Sequence, residues 1–248
     1  MSEQLTFWEH LDELRSCIIR SLVVVVVAAA AAFLLKDWLF AVVLAPRSSD
    51  FVSYRLLGID EGFALHLMNT GLTEQFMTHM RVALYAGLLL ASPYVLYQLF
   101  RFVSPGLYQN ERRAATKMVG SAYLMFILGT AVDYFLIFPL TVRFLGTYQV
   151  SPDVDNMLTL LSYVDTLIGM SFVMGVVFEL PVVCAILGKM GLINSRLMTE
   201  YRRHAIVAIL IVSAIITPTT DVFTLLVVAL PIWLLYEVSI WIVKLTNT

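Results

Sequence analysis

Charged residues are scarce in this chain, and their scarcity decides its class. Of the 248 residues, 14% are charged and 60% are apolar, whereas a soluble domain is about a quarter charged and about half apolar. This balance excludes an ordinary water-soluble protein and leaves little chain for a separate soluble domain. Whatever the protein recognises must therefore contact its short loops or its membrane-spanning helices.

Cysteine is also scarce, and histidine is absent from the positions where catalysis would need it. The two cysteines, Cys17 and Cys184, are far apart and lack metal-like spacing, so we expect no disulfide framework, metal site or cofactor. The histidines flank apolar segments and do not accompany a serine or cysteine within a span, which argues against an intramembrane hydrolase; we expect no enzyme activity. They are His10, His66, His79 and His204.

Long apolar runs are what the sequence does contain. A spanning helix needs about 20 apolar residues, or somewhat fewer where the bilayer thins. We predict an all-α integral membrane protein with a single six-span domain over residues 1–248. The first run continues through 38–44 and lacks a small-residue cleavage pattern, so we expect it to be retained. The predicted spans are 21–44, 76–100, 115–140, 157–188, 205–217 and 221–243.

The distribution of Lys and Arg predicts the orientation. If the amino terminus is cytoplasmic, 11 basic residues lie on the inside flanks and 5 on the outside flanks. Because basic residues favour the cytoplasmic side, we expect both termini to be cytoplasmic. The connector at 101–113 and the loop at 189–204 then face the cytoplasm as well.

The fifth predicted span is unusually short. Residues 205–216 rise about 18 Å, against a hydrocarbon core of about 30 Å, before a breaker at 217–221. We expect a short hairpin that thins the bilayer or shelters in the bundle, rather than one kinked span with a long tail.

One acid lies well inside the fourth predicted span. A charge at the bilayer centre costs at least about 3 kcal/mol, so Glu179 must be neutral, paired or hydrated. It is either a protonated carboxyl bonded to a neighbouring helix, or a proton relay, substrate site or docking point for a partner helix. Pro181 frees backbone carbonyls at the same depth. Asp133 and Glu237 lie nearer span ends, where snorkelling and interfacial water favour the structural explanation over a functional role.

Residues at about 6–20 predict an amphipathic helix along the cytoplasmic surface. Thr6 and Glu9 fit a capping box at its start. An anionic leaflet repels its acids, including Asp12 and Glu13, so these residues instead suit a cationic ligand. The apolar stripe consists of Phe7, Leu11, Leu14 and Ile18.

The connector between the second and third spans carries another candidate acid. A turn at 105–106 lies between Phe102 and Leu107, which supply apolar contacts. Glu111 either pairs with basic neighbours on a solvated face or acts together with Glu13. In the second case both carboxylates receive guanidinium groups through bidentate hydrogen bonds.

Five segments in order along the chain resemble the TatC family, the receptor subunit of the twin-arginine protein translocase. The resemblance implies a concave, glove-like six-helix bundle with short fifth and sixth helices in the cytoplasmic (inner) membrane. It also implies binding of folded cargo proteins through their twin-arginine signal peptides. The segments are 10–15, 92–98, 105–113, 178–181 and 217–221.

The same resemblance assigns roles to individual residues. It implies that the signal peptide binds Glu13, Glu111, Phe102, Leu107 and Arg15. Glu179 is matched to an intramembrane acid that faces a polar residue of a single-span partner. The structural or periplasmic cap positions are Pro46, Glu74, Phe76, Pro93 and Asp221.

The partners implied are single-span subunits of the TatA and TatB class, twin-arginine signal peptides and membrane lipid, in hetero- and homo-oligomers, with no nucleic acid. Export would be driven by the proton-motive force. The alternative is a proton-coupled secondary transporter using Glu179, but such folds usually carry internal repeats, and no convincing repeat is found. The loop at 47–71 and Asp133 depart from the family pattern.

Overall fold

The computed structural model describes residues 7–58, 65–103, 112–149, 151, 156–217 and 221–246. Within these ranges the backbone is predominantly helical, and parallel strands β1 (Leu67–Met68) and β2 (Leu158–Thr159) pair between helices. The helices are α1 (Phe7–Phe33), α2 (Lys36–Val43), α3 (Val52–Leu56), α4 (Glu74–Val103), α5 (Arg112–Val132), α6 (Phe138–Thr147), α7 (Leu160–Val177), α8 (Leu180–Lys189), α9 (Ser195–Glu200), α10 (Arg202–Ile216) and α11 (Val222–Thr246).

Five segments of the described chain are long and apolar enough to cross a membrane. The third joins α5 to α6 through a π-helical turn at Asp133–Ile137, and the fourth joins α7 to α8. The prediction of a helical, multi-pass membrane protein is therefore confirmed. The segments are Leu11–Phe33, Glu74–Phe102, Met118–Thr147, Leu160–Lys189 and Val222–Leu245.

The last two helices differ in length. Helix α10 has 15 residues, or about 22 Å at about 1.5 Å per residue, and is shorter than a hydrocarbon core of about 30 Å. Helix α11 has 25 residues, or about 37 Å. The expectation of a short sixth helix is therefore wrong, because the apolar run of α11 exceeds the required length and Pro231 lies within the helix without ending it.

The first predicted span is divided differently from expectation. Helix α1 runs without interruption past residue 20, where the surface helix was expected to end and the span to begin. No Gly or Pro interrupts its hydrogen-bond ladder, so the amphipathic turns and the apolar turns form one helix. The chain turns at 34–35. The part of the predicted span 21–44 that follows this turn forms the separate helix α2.

Two compact units divide the chain, and one consists of Met1–Leu39 with His79–Leu124. In this unit α1 and α4 approach closely at Gly87, where an added Cβ would lie 2.4 Å from the backbone nitrogen of Ala29. The His79 ring stacks on Phe33 with centroids 3.9 Å apart, and its Nε2 lies 3.1 Å from the Phe33 carbonyl oxygen. Small residues and one aromatic contact therefore fix α1 against α4.

The other unit consists of Phe40–Thr78 with Met125–Thr248. Gly129 and Gly175 allow α5 and α7 to approach, because a Cβ at Gly175 would lie 2.7 Å from the Phe126 ring and one at Gly129 would lie 2.6 Å from the Met174 carbonyl oxygen. The apolar core of this unit joins the π-helical turn to α7, α10 and α11. Its buried members are Ile137, Met170, Met174, Phe178, Ile209, Val228, Ala229, Ile232 and Leu235.

In the same unit, tyrosine hydroxyls donate hydrogen bonds to the last carbonyl groups of α2. Tyr134 donates to the Val42 carbonyl at 2.7 Å, and Tyr163 donates to the Val43 carbonyl at 3.1 Å. The fully buried Tyr54 lies 3.0 Å from the carbonyl oxygens of both Pro46 and Pro139. Burial raises the pKa of the Tyr54 phenol, so the hydroxyl keeps the proton that it donates.

Replacing Gly87 tests the close contact of α1 with α4. We expect Gly87→Ala to destabilise the protein by about 1–3 kcal/mol, because the new methyl group would meet the Ala29 backbone rather than a movable side chain. Thermal unfolding in detergent measures the effect.

Gly120→Ala is the matched control, since nothing lies within 4 Å of a Cβ at that helical glycine. The control should unfold at the wild-type temperature or slightly above it. Equal behaviour of the two variants would contradict the packing argument.

Candidate functional site

A cavity of about 190 Å³ brings together two of the residues assigned to signal-peptide binding. Glu13 on α1 and Phe102 near the end of α4 both line it. The lining residues of α1 are spaced three and four positions apart, so their side chains share one face of the helix. The lining residues of α4 have the same spacing. The remaining lining residues are Ser16, Cys17, Arg20, Gln98 and Arg101.

The charges of this lining are mixed. Glu13 is half-buried and supplies a carboxylate, whereas Arg20 and Arg101 supply two guanidinium groups. Gln98 is buried, and its amide nitrogen donates to the Tyr94 hydroxyl at 2.6 Å. The lining therefore carries a net charge of +1, and a cationic ligand needs at least one further carboxylate at this place.

The expected second carboxylate belongs to the connector that follows α4. Glu111 and Leu107 lie outside the described residues, between the end of α4 at Val103 and the start of α5 at Arg112. Arg15 is exposed on α1 and does not line the cavity, because a residue two positions from Glu13 points to another side of the helix.

Glu179 lies at the joint between α7 and α8. Its backbone continues the helical ladder, donating to the Val176 carbonyl at 3.1 Å and accepting from the Val183 N–H at 2.9 Å. The side chain is half-buried, and its Oε1 atom is buried without a hydrogen-bond partner among the described residues. A hydrogen bond to a neighbouring helix would explain Glu179 structurally, but Oε1 makes none within the described residues. This oxygen can therefore accept a hydrogen bond from another partner.

The other two acids within spans have different environments. Asp133 is fully buried in the π-helical turn, and Ser171 donates to its Oδ2 at 2.5 Å. The hydrogen bond to Ser171 on a neighbouring helix, rather than interfacial water, is therefore the structural explanation of Asp133. Glu237 accepts from Arg202 at 2.7 Å, and this ion pair between α11 and α10 accounts for it.

Comparison with known proteins identifies the family. A family model for the Sec-independent protein translocase protein TatC matches residues 9–231. The chain belongs to the TatC family. It is 33% identical to TatC of Carboxydothermus hydrogenoformans over 241 residues, which are 97% of this chain and 93% of that protein. It is 34% identical to TatC of Desulforapulum autotrophicum over 238 residues, covering 96% of this chain and 84% of that protein.

A solved structure shares the fold. The chain matches a crystal structure of the twin-arginine translocase receptor TatC with a TM-score of 0.80 and 31% sequence identity, covering 97% of this chain and 100% of the other. The resemblance predicted from five sequence segments is thus confirmed. A translocase family does not favour the alternative of a proton-coupled transporter.

Glu74 connects two parts of this TatC-family chain. Its Oε2 accepts from the backbone N–H groups of Thr70 and Gly71, each at 2.9 Å, and its Oε1 accepts from the Leu161 N–H at 3.2 Å. One carboxylate therefore joins the turn before α4 to the start of α7. Phe76, assigned to the same cap, is 58% exposed.

The other residues assigned to the cap take part in hydrogen bonds with the backbone or replace them. Pro93 lacks the N–H that would bond the Leu89 carbonyl, and the Ser92 hydroxyl donates to that carbonyl at 2.7 Å instead. Asp221 precedes α11 and accepts from the Thr224 N–H at 2.8 Å, with a second, shorter bond to the Thr224 hydroxyl. Pro46 is buried in a 3₁₀ turn, where its carbonyl accepts from Tyr54.

Sequence reasoning missed most of the lining of the TatC cavity. Cys17, Arg20, Gln98 and Arg101 were not assigned to it. A signal was present, because Arg20 follows Glu13 by seven residues and therefore lies on the same face of α1. The pairing of α1 with α4 could not be read from either helix alone.

Replacing Glu74 should weaken this part of the TatC fold. We expect Glu74→Ala to lower the unfolding temperature, because three backbone N–H groups lose their acceptor. Glu74→Gln retains one carboxamide oxygen and should lower it less. Thermal unfolding in detergent compares the two, and a wild-type unfolding temperature for Glu74→Ala would contradict the role.

Proposed function

We propose that this chain is the receptor subunit of a twin-arginine translocase, which binds the signal peptides of folded precursor proteins on the cytoplasmic face of the inner membrane. The observation that carries the proposal is the cavity between α1 and α4, whose walls include Glu13 and Phe102. Helix α4 ends at Val103, the residue after Phe102, and the connector that contains Glu111 follows it in the chain.

Recognition then depends on two carboxylates. Each arginine of the signal peptide presents a planar guanidinium group that can form two parallel hydrogen bonds to a carboxylate, a geometry that lysine does not reproduce. Glu13 supplies one acceptor from α1, and Glu111 supplies the other from the connector. Phe102 and Leu107 provide apolar contact beside them, and Arg15 flanks the patch. No covalent step is required.

Assembly with partner subunits uses a different residue. Single-span subunits of the TatA and TatB class place a polar side chain against Glu179, whose Oε1 atom lacks a partner in the described chain. A hydrogen bond between helices in a membrane contributes about 0.6–2 kcal/mol, enough to favour one docking position without making it irreversible. We expect hetero- and homo-oligomers to form around the spans, with both termini in the cytoplasm and export driven by the proton-motive force.

A binding measurement with a twin-arginine peptide tests the receptor role. We expect Glu13→Ala to lower the affinity of the purified protein by about 10-fold or more, because a charge-assisted hydrogen bond contributes about 1.5–3 kcal/mol. Glu111→Ala should have an effect of similar size. Calorimetry, or crosslinking from the 101–113 connector to a precursor, measures the change.

Asp12→Ala is the control, since this acid is exposed next to Glu13 on α1 but does not line the cavity. It should bind as the wild type does. A twin-lysine peptide should bind all variants weakly. Wild-type affinity in Glu111→Ala would overturn the proposed recognition site.

The docking role of Glu179 has a separate test. We expect Glu179→Leu to weaken association with TatA- or TatB-class helices by about 3- to 20-fold, with Glu179→Gln retaining more of it. Stability should not fall, because the Oε1 atom makes no hydrogen bond within the described chain. Crosslinking in membranes measures association, and unchanged crosslinking in Glu179→Leu would reject this role.

A further inference from the structure

A larger cavity lies in the second compact unit, among α9, α10 and α11. Its volume is about 610 Å³. Three basic and two acidic side chains line it together with one indole ring. We propose that this cavity binds the phosphate headgroup of an anionic membrane phospholipid. The side chains are Arg196, Arg202, Lys244, Glu200, Glu237 and Trp241.

The walls of this cavity are held together before any ligand arrives. The Tyr236 hydroxyl of α11 donates to the Met198 carbonyl of α9 at 2.8 Å. Met198 packs with Ile240 and Val243 in a small buried cluster. Behind it Gly188 of α8 allows close approach, since a Cβ there would lie 3.2 Å from Val243. A preformed site loses little conformational entropy when a headgroup binds.

The charges suit a phosphodiester. Arg202 and Glu237 form an ion pair with a 2.7 Å contact, so the charge of Glu237 is already compensated. The remaining charged groups of the lining are Arg196, Lys244 and Glu200, and the whole lining has a net charge of +1. A phosphodiester carries one negative charge, and basic pockets between membrane helices bind such headgroups.

The position of the cavity favours a lipid over a soluble anion. Lys244 and Trp241 lie at the end of the span Val222–Leu245, where the apolar run gives way to polar residues, and tryptophan is enriched at this depth of a membrane. Trp241 is 65% exposed, and exposed Val238 and Leu234 continue its face of α11 toward the middle of the span. Acyl chains can follow this apolar face while the phosphate occupies the basic end.

Native mass spectrometry of the full chain in a mild detergent tests the proposal. Phosphatidylglycerol should bind in preference to phosphatidylcholine. The double variant Arg196→Gln with Lys244→Gln should bind phosphatidylglycerol about 10- to 30-fold more weakly, since each basic side chain contributes on the order of a fewfold to tenfold. Its binding of phosphatidylcholine, whose choline cation offsets the phosphate charge, should change less, and thermal unfolding checks that the variant is folded.

Arg203→Gln is the matched control, because Arg203 is exposed beside Arg202 on α10 but does not line the cavity. It removes one charge and should leave lipid binding unchanged. An equal loss in this control, or none in the double variant, would overturn the site. Glycerol phosphate that bound as tightly as phosphatidylglycerol would overturn the assignment to a lipid. None of these outcomes depends on peptide binding at Glu13, so the lipid site can fail without the proposed receptor role failing.

Discussion

Hydrocarbon offers no hydrogen bonds, so each backbone group that leaves a helical ladder near the membrane must find a partner within the protein. This constraint explains most polar side chains at the helix ends. Ser92 supplies the donor that Pro93 lacks, and Tyr134 and Tyr163 occupy carbonyls at the end of α2. Glu74 accepts from three N–H groups at once. Each of these side chains bonds to a backbone group that has no partner in a helical ladder.

Two carboxyl oxygens depart from this rule, and their surroundings differ. Asp133 is fully enclosed, and Ser171 binds only one of its oxygens, so nothing outside the protein can reach it without opening the packing of α7 against the π-helical turn. Glu179 is half-buried at the joint of α7 and α8. A partner helix that approaches from the lipid can complete the hydrogen bonds of Glu179, whereas Asp133 must be satisfied internally. Of the two acids, only Glu179 therefore suits the reversible docking of a partner helix proposed above.

Hydropathy predicted a helical, multi-pass membrane protein because a bilayer demands long apolar runs whatever surrounds them. It did not predict that α1 passes residue 20 without a break, since a change from amphipathic to apolar residues does not by itself end a helix. It also did not predict the partner of Asp133, Ser171, which is 38 residues away. For Glu237 a structural role was expected, but its partner Arg202 was not predicted. Contacts between distant residues depend on packing, which a periodicity along one helix does not contain.

The two cavities have linings of the same net charge but suit ligands of opposite sign, and the reason lies in how each lining is completed. In the cavity of α9, α10 and α11, the Tyr236 bond joins α11 to α9 and the Arg202–Glu237 ion pair joins α10 to α11. Its three basic side chains lie on these elements, so its positive charge needs no further segment. The cavity of α1 and α4 has one acid against two arginines. The carboxylate of Glu111 would make that lining neutral. The proposed recognition of a cationic peptide therefore requires both carboxylates, Glu13 from α1 and Glu111 from the connector.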